Sequence, residues 1–246
     1  TVTGYMIPAV IGLVYFSYAR NSLWLVRPGM EKGELKDTCI NGSSEMVTNL
    51  SSGIITFLFN LAMMHFAGED GVAAITIIQY SQFLLNALFM GFSQGVSPVI
   101  SFNYGSRNQE QLRQVFKTSL LFTLATSAAT FLLAQLGGSF VVGIFAEPGS
   151  PVYGLARHGF TIFAFSFLFS GFTIFASALF TALSDGRISA VISFVRTFGL
   201  IITSLMVLPF LIGVDGVWLA IPIAELGGLL LSIHYMRKYR STYHYA

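Results

Sequence analysis

The chain has 246 residues, of which 54% are apolar and 10% charged, with a formal net charge of +2. A soluble domain carries about 25% charged residues, and the mean hydropathy here is +0.71. That balance excludes aqueous globular, disordered and nucleic-acid-binding classes, and one cysteine, Cys39, excludes an intramolecular disulfide framework and a cysteine-based zinc site.

A helix needs roughly 20 apolar residues to cross about 30 Å of hydrocarbon, and stretches of that kind recur along the chain. Residues 1–19 are uncharged and read as a truncated transmembrane helix, because the sequence opens on Thr1 without Met or a signal-like n-region and is expected to be a fragment. Residues 20–40 mix Arg20, Arg27, Lys32 and Lys36 with Leu23, Trp24, Leu25, Val26 and Leu35. They predict a connector with a short amphipathic segment at the membrane interface. Residues 41–240 hold six complete spans, at 46–68, 71–106, 118–146, 158–184, about 188–212 and 216–236, and residues 241–246 form a tail. The turns Ala67–Gly71, Glu147–Pro151 and Ser184–Gly186 are too short for a soluble domain. The ten-residue alternating segments of a barrel are absent. The expected fold is an all-α integral membrane protein, a polytopic bundle of six complete transmembrane helices after one truncated helix.

Lys and Arg in short loops set orientation. Arg20, Arg27, Lys32, Lys36, Arg107, Arg113, Lys117, Arg187, Arg237, Lys238 and Arg240 fall on one side, and only Arg157 on the other, with Glu69, Asp70, Glu147 and Asp215. The basic side and the C-terminus are therefore expected in the cytoplasm, and Thr1 outside.

Polar residues inside the spans fall at helical spacing. Glu45, Asn49, Ser52, Thr56, Asn60 and Met63 share one face, as do Gln79, Gln82, Asn86, Met90, Ser93 and Ser97. Ser166, Ser170, Thr173, Ser177, Thr181 and Ser184 form a third stripe, and Ser189, Ser193, Arg196 and Thr203 a looser fourth. Hydroxyls at such spacing fit helix packing, and the third stripe is read that way. Amides and carboxylates are costly in hydrocarbon unless they meet water or a partner. Asn49, Thr56, Asn60, Met63, Gln79, Gln82, Asn86 and Met90 are accordingly the candidates for a substrate cavity. Glu225 lies roughly 18 Å, and Arg196 roughly 13 Å, from the basic surface at about 1.5 Å per residue. An ion pair between them is plausible. Glu225, Arg196 and Glu45 are the ion-coupling candidates.

Gly91, Gly95 and Pro98 interrupt an uncharged stretch longer than a bilayer, and are candidates for a kink or a hinge. Gly91-Phe-Ser-Gln-Gly95 matches the hydrolase pattern G-x-S-x-G, but that pattern needs a strand-to-helix elbow; no enzymatic activity is expected. His65, His158, His234 and His244 have no metal-ligand spacing.

Four stretches resemble the C-terminal half of a multidrug and toxic compound extrusion (MATE) transporter of the MepA-like bacterial branch. They are 68–74 (GEDGVAA), 95–105 (GVSPVISFNYG), 177–186 (SALFTALSDG) and 216–225 (GVWLAIPIAE). The resemblance implies one six-helix lobe, with residues 1–19 as the end of helix six and the N-terminal lobe of the same polypeptide as partner. It implies exchange of H⁺ or Na⁺ for amphipathic, cationic small molecules by alternating access in a bacterial inner membrane, with no cofactor beyond the coupling ion. The sodium-coupled branch places a carboxylate where this chain has Gly53 and an acid in the helix at 158–184, where this chain has none, so its cation site does not carry over. A lipid-linked saccharide flippase of the same superfamily and, more remotely, a seven-helix receptor are the alternatives.

Overall fold

The computed structural model describes residues 2–18 and 32–245, with backbone alone for 2–5, residue 18 and part of 32–49. Two compact units are distinguished, Thr1–Asp37 and Thr38–Ala246. The first contains α1 (Val2–Tyr18), whose side chains from Met6 to Phe16 are apolar and mostly exposed. The connector expected at 20–40 lies largely outside the described residues. From Lys32 onward the chain is already helical, because α2 (Lys32–Gly105) begins well before its apolar part. Helices in water are not limited by hydrocarbon thickness, which is all that the charge-free stretches report.

The second unit is all helix among the described residues. After α2 come α3 (Gln109–Phe145), α4 (Pro151–Phe163), a 3₁₀ turn (Ala164–Ser166), α5 (Phe167–Ala182), α6 (Gly186–Phe194), a π-helical segment (Val195–Ile201), α7 (Ile202–Ile212) and α8 (Val214–Tyr243). Among the described residues, five stretches are long and apolar enough to cross a membrane: Leu50–Gly105, Gln109–Phe145, Pro151–Ala182, Gly186–Ile212 and Val214–Tyr243. The first has 56 residues and would extend about 84 Å if straight at about 1.5 Å per residue. It is not straight. Gly68, with φ 65° and ψ −154°, breaks α2 into two arms.

Gly213, between α7 and α8, has nearly the same conformation, φ 64° and ψ −140°. That region is accessible essentially to glycine alone. Both sites read Gly-x-Asp-Gly, Gly68-Glu-Asp-Gly71 and Gly213-Val-Asp-Gly216. The last glycine of each lets the new helix start against the end of the old one. A Cβ on Gly71 would lie 2.6 Å from Ala67 Cβ and 3.0 Å from the Met63 carbonyl oxygen; one on Gly216 would lie 2.3 Å from the Leu208 carbonyl group.

On α3, burial is inverted relative to a soluble protein. The inward face is Leu112, Phe116, Ser119, Thr123, Ser127, Thr130, Ala134, Gly138 and Val142, while Leu121, Leu132, Leu136 and Phe140 point outward. Small and hydroxylated residues let helices approach in lipid, where large apolar side chains gain nothing by turning inward. Two apolar clusters close the ends of the bundle. One gathers Phe59, Met63, Ile75, Ile78, Phe163 and Trp218; the other gathers Ile100, Phe116, Phe175, Leu179, Phe180 and Tyr245. The second forms at the end bearing Arg113, Lys117 and Arg187.

The C-terminal residues are not a free tail. Helix α8 runs to Tyr243, whose hydroxyl donates to Asp185 at 2.5 Å, and His244 turns left-handed with φ 55°. Tyr245 is fully buried, its hydroxyl on the Met236 carbonyl at 2.6 Å and its ring 4.7 Å from that of Phe116. A charge count does not register the apolar area of a terminal tyrosine.

Because backbone atoms cannot yield to a methyl group, Gly216→Ala should cost about 1–3 kcal/mol and lower the thermal midpoint of the detergent-solubilised protein. Gly137→Ala, where no atom lies within 4 Å of the new Cβ, should leave the midpoint unchanged or raise it.

Candidate functional site

The helices line a half-open cavity of about 330 Å³ whose wall carries many polar side chains. The first arm of α2 contributes Ser52 and Thr56. The second contributes Gln79, Gln82, Phe83, Asn86, Met90, Ser93 and Gln94. Helix α5 adds Thr173 and Ser177, α6 and the π segment add Ser193, Arg196 and Thr197, and α8 adds Glu225. Ile192, Ile201 and Ile221, all members of the apolar clusters, border it.

The two ionisable groups that line the cavity meet each other. Arg196 Nη1 lies 3.4 Å from Glu225 Oε1, with 16% and 5% of the two side chains exposed. The shorter contact to the carboxylate comes from a hydroxyl: Thr173 Oγ1 donates to Glu225 Oε2 at 2.7 Å and accepts from Arg196 Nη1 at 3.0 Å. Desolvating two charges costs several kcal/mol each, and the attraction between them offsets this only when the remaining lone pairs are also satisfied. Here the threonine satisfies the second carboxylate oxygen.

Backbone geometry brings the three together. Arg196 lies in the π segment Val195–Ile201, where the wider turn shifts a side chain off the α-helical register; such segments are frequent at functional sites. Glycines on α8 let this segment approach. A Cβ on Gly228 would lie 3.2 Å from Arg196 Cγ and 3.1 Å from Thr173 Cγ2, and one on Gly227 would lie 2.8 Å from Leu200 Cδ1. One turn back on α5, the Ser170 hydroxyl donates to Asn86 Oδ1 at 3.3 Å, joining the wall of α2 to the same group.

Of the residues singled out in the sequence, Thr56, Gln79, Gln82, Asn86, Met90, Arg196 and Glu225 line this one cavity. Met63 does not: it is fully buried in the apolar cluster beside Gly71. Asn60, half-buried one turn before it, is not a lining residue either. Helical spacing fixes the face a residue occupies but not the depth at which the cavity ends. The side chains of Glu45 and Asn49 lie outside the described residues. Gly91, Gly95 and Pro98 lie in the second arm of α2, and the break inside α2 is at Gly68. Gly91-Phe-Ser-Gln-Gly95 is continuous helix and forms no nucleophile elbow. Sequence reasoning did not assign Thr173 to the site. It stands in a hydroxyl stripe whose packing role looks the same by spacing, and its value comes from partners on two other helices. Among the described residues no three of His, Cys, Asp and Glu are grouped to hold a metal ion.

The family model MatE matches residues 46–206. The chain belongs to the MatE family. It is 29% identical over 136 residues to the probable multidrug resistance protein YoeA of Bacillus subtilis (strain 168), a match covering 53% of this chain and 29% of that one. It is 22% identical over 174 residues to the multidrug export protein MepA of Staphylococcus saprophyticus, covering 71% of this chain and 37% of that one. Among solved structures, a MATE in complex with MaL6 superposes with TM-score 0.88 at 19% identity, over 98% of this chain and 55% of that one. A multidrug resistance MATE family transporter in an outward-facing conformation gives TM-score 0.87 at 19% identity, covering 98% and 55%. The MATE fold is therefore present in a chain that spans about half the length of those structures and less of the curated relatives. With its apolar helices, family membership makes this a multi-pass membrane protein of a transporter family, which sets aside the seven-helix receptor.

With Cys39 replaced by Ser, single cysteines at Gln82 and Asn86 should react with a membrane-impermeant maleimide in the full-length protein. A cysteine at Met63 should remain protected; equal labelling of all three would contradict the boundary drawn between cavity and apolar cluster.

Proposed function

We propose that this chain is the C-terminal six-helix lobe of a multidrug exporter that exchanges H⁺ or Na⁺ for amphipathic, cationic small molecules by alternating access. The two arms of α2, then α3, α4 with α5, α6 with α7, and α8 supply six crossings, and α1 is the end of helix six. Its partners are the lipid bilayer and the N-terminal lobe of the same polypeptide. The setting is a bacterial inner membrane, with the basic ends of the helices and the C-terminus in the cytoplasm. The names of YoeA and MepA support the export of drugs, and the share of the solved structures covered supports the reading as a lobe.

One observation carries the coupling: a carboxylate held by an arginine and a hydroxyl in the wall of the half-open cavity, inside an otherwise apolar bundle. Arrival of H⁺ or Na⁺ at Glu225 removes the charge that holds Arg196. The freed guanidinium must then find other acceptors, and the wall between the π segment, α5 and α8 is stable in a different arrangement. An ion can shift a conformational equilibrium only through such a difference in interaction between states. Glu45, at the other end of the first polar stripe, is a second coupling candidate.

Gln79, Gln82 and Asn86 offer hydrogen bonds and Phe83 and Met90 apolar contact, a mixture suited to an amphipathic guest. A methyl group added to Gly91 or Gly95 would meet no neighbouring atom within 4 Å, so close packing does not account for these glycines. With Pro98, which lacks a backbone donor, they are the points at which the long arm of α2 bends during the cycle. A flippase for a pyrophosphate-linked lipid would need more basic groups than Arg196, which is already paired.

Glu225→Gln in the complete transporter should abolish dye efflux driven by imposed pH or sodium gradients in proteoliposomes while leaving expression intact. Undiminished gradient-driven efflux would remove Glu225 from the coupling step.

A further inference from the structure

We infer that Thr173 is a positioning residue that lets Glu225 change its protonation state without stranding a buried polar atom. The inference rests on the reading of Glu225 as the coupling carboxylate. The Thr173 hydroxyl has a single hydrogen and two acceptors within reach: Glu225 Oε2 at 2.7 Å and the carbonyl oxygen of Ser170 at 3.0 Å. Its oxygen simultaneously accepts from Arg196 Nη1 at 3.0 Å. With Glu225 ionised, the hydrogen points to Oε2. When a proton arrives it resides on Oε2 and is donated to Thr173 Oγ1, while the threonine hydrogen rotates to the Ser170 carbonyl. Nothing leaves, and taking up the proton itself moves no heavy atom; the release of Arg196 follows from the lost charge. The same oxygen serves as donor to the carboxylate in one state and acceptor from the carboxyl in the other.

The setting is built for this rotation and against any other. Thr173 is 1% exposed and Glu225 4%, and an unpaired buried polar group is costly. The threonine methyl is seated where a Cβ on Gly228 would approach to 3.1 Å. Its branched Cβ restricts χ1, leaving the hydroxyl hydrogen as the free coordinate. Ser170, whose carbonyl receives that hydrogen, also donates its own hydroxyl to Asn86 in the cavity wall. A change at Glu225 is thus felt one hydrogen bond from a residue facing the substrate.

Among the described residues, no ionisable side chain besides Arg196 lines the cavity with Glu225; α2 carries His65, Glu69 and Asp70 near its break, and the side chain of Glu45 lies outside the described residues. Arg196 is the one beside Glu225 in the cavity wall. On α4, Arg157 bonds Ser139 and Thr161, and His158 bonds Asp215 at 2.8 Å. Arg187 opens α6, and α5 and α7 carry no ionisable side chain. On α8, Asp215 lies in the first turn, and His234, Arg237, Lys238 and Arg240 are well beyond Glu225 toward its other end. None of these lines the cavity.

The test is infrared difference spectroscopy of the purified complete transporter across a pH series, following the protonated-carboxyl band that Glu225→Gln removes. Thr173→Val keeps the shape and deletes the hydroxyl. A hydrogen bond to an ionised acceptor is roughly twice as strong as one between neutral groups. Deleting it unbalances the two forms, and the band's midpoint should move measurably from that of the unaltered protein. Thr173→Ser should return the midpoint toward that of the unaltered protein, and Thr173→Ala, which leaves more room, should reproduce the shift if the valine variant folds poorly. An unmoved midpoint in the valine and alanine variants, or a band that does not titrate at all, overturns the inference. The coupling role fails separately, by persistence of gradient-driven efflux in Glu225→Gln.

Discussion

The arrangement of this bundle follows from the difficulty of keeping one carboxylate in hydrocarbon. An unpaired charge there costs several kcal/mol or more, so Glu225 constrains everything around it. Arg196 must reach it, which the π segment and the glycine pair Gly227-Gly228 permit by bringing that segment against α8. Thr173 must fill the coordination that the arginine leaves open. The apolar clusters at the two ends then keep the group between them. A change in any of the three partners alters the free energy of the other two, as expected of a shared hydrogen-bond network.

Much of the fold was readable because lipid imposes a simple rule. Backbone groups must be satisfied within each crossing, so helices had to form wherever charges were absent, and the break at Gly68 falls inside the loop that the charges marked. Charge-free stretches say less about features set by local geometry. The recurrence of Gly-x-Asp-Gly at 68–71 and 213–216 is short enough to escape notice as a repeat. It is recognisable only once both first glycines share φ near 65° and both last glycines sit against the preceding helix end. The early start of α2 and the burial of Tyr245 escaped for the same reason.

In the candidate site, residue chemistry was informative where it was expensive. Glu225, Arg196 and the amides Gln79, Gln82 and Asn86 stood out because a polar group of that cost needs a partner, and all five line one cavity. Hydroxyls are cheap in a helix, since they can return a hydrogen bond to the carbonyl one turn back, as Thr76, Ser81 and Thr126 do. The Ser170 carbonyl stands within reach of the Thr173 hydroxyl too, and its sequence context is therefore the same as that of a packing residue. Only its second acceptor distinguishes it. Met63 errs in the opposite sense: it shares a face with Thr56 but lies deeper than the cavity extends.

The geometry of the pair also bears on whether it is a fixed strut or a moving part. A rigid Arg–carboxylate bridge takes the bidentate form with both distances near 2.8 Å. Here one guanidinium nitrogen serves two acceptors, at 3.0 and 3.4 Å, and the better contact to the carboxylate comes from a neutral hydroxyl. The contact compensates Glu225 without the geometry of a closed bidentate bridge. That looseness is compatible with the exchange proposed for Glu225, and the π segment that carries Arg196 is itself a departure from regular helix.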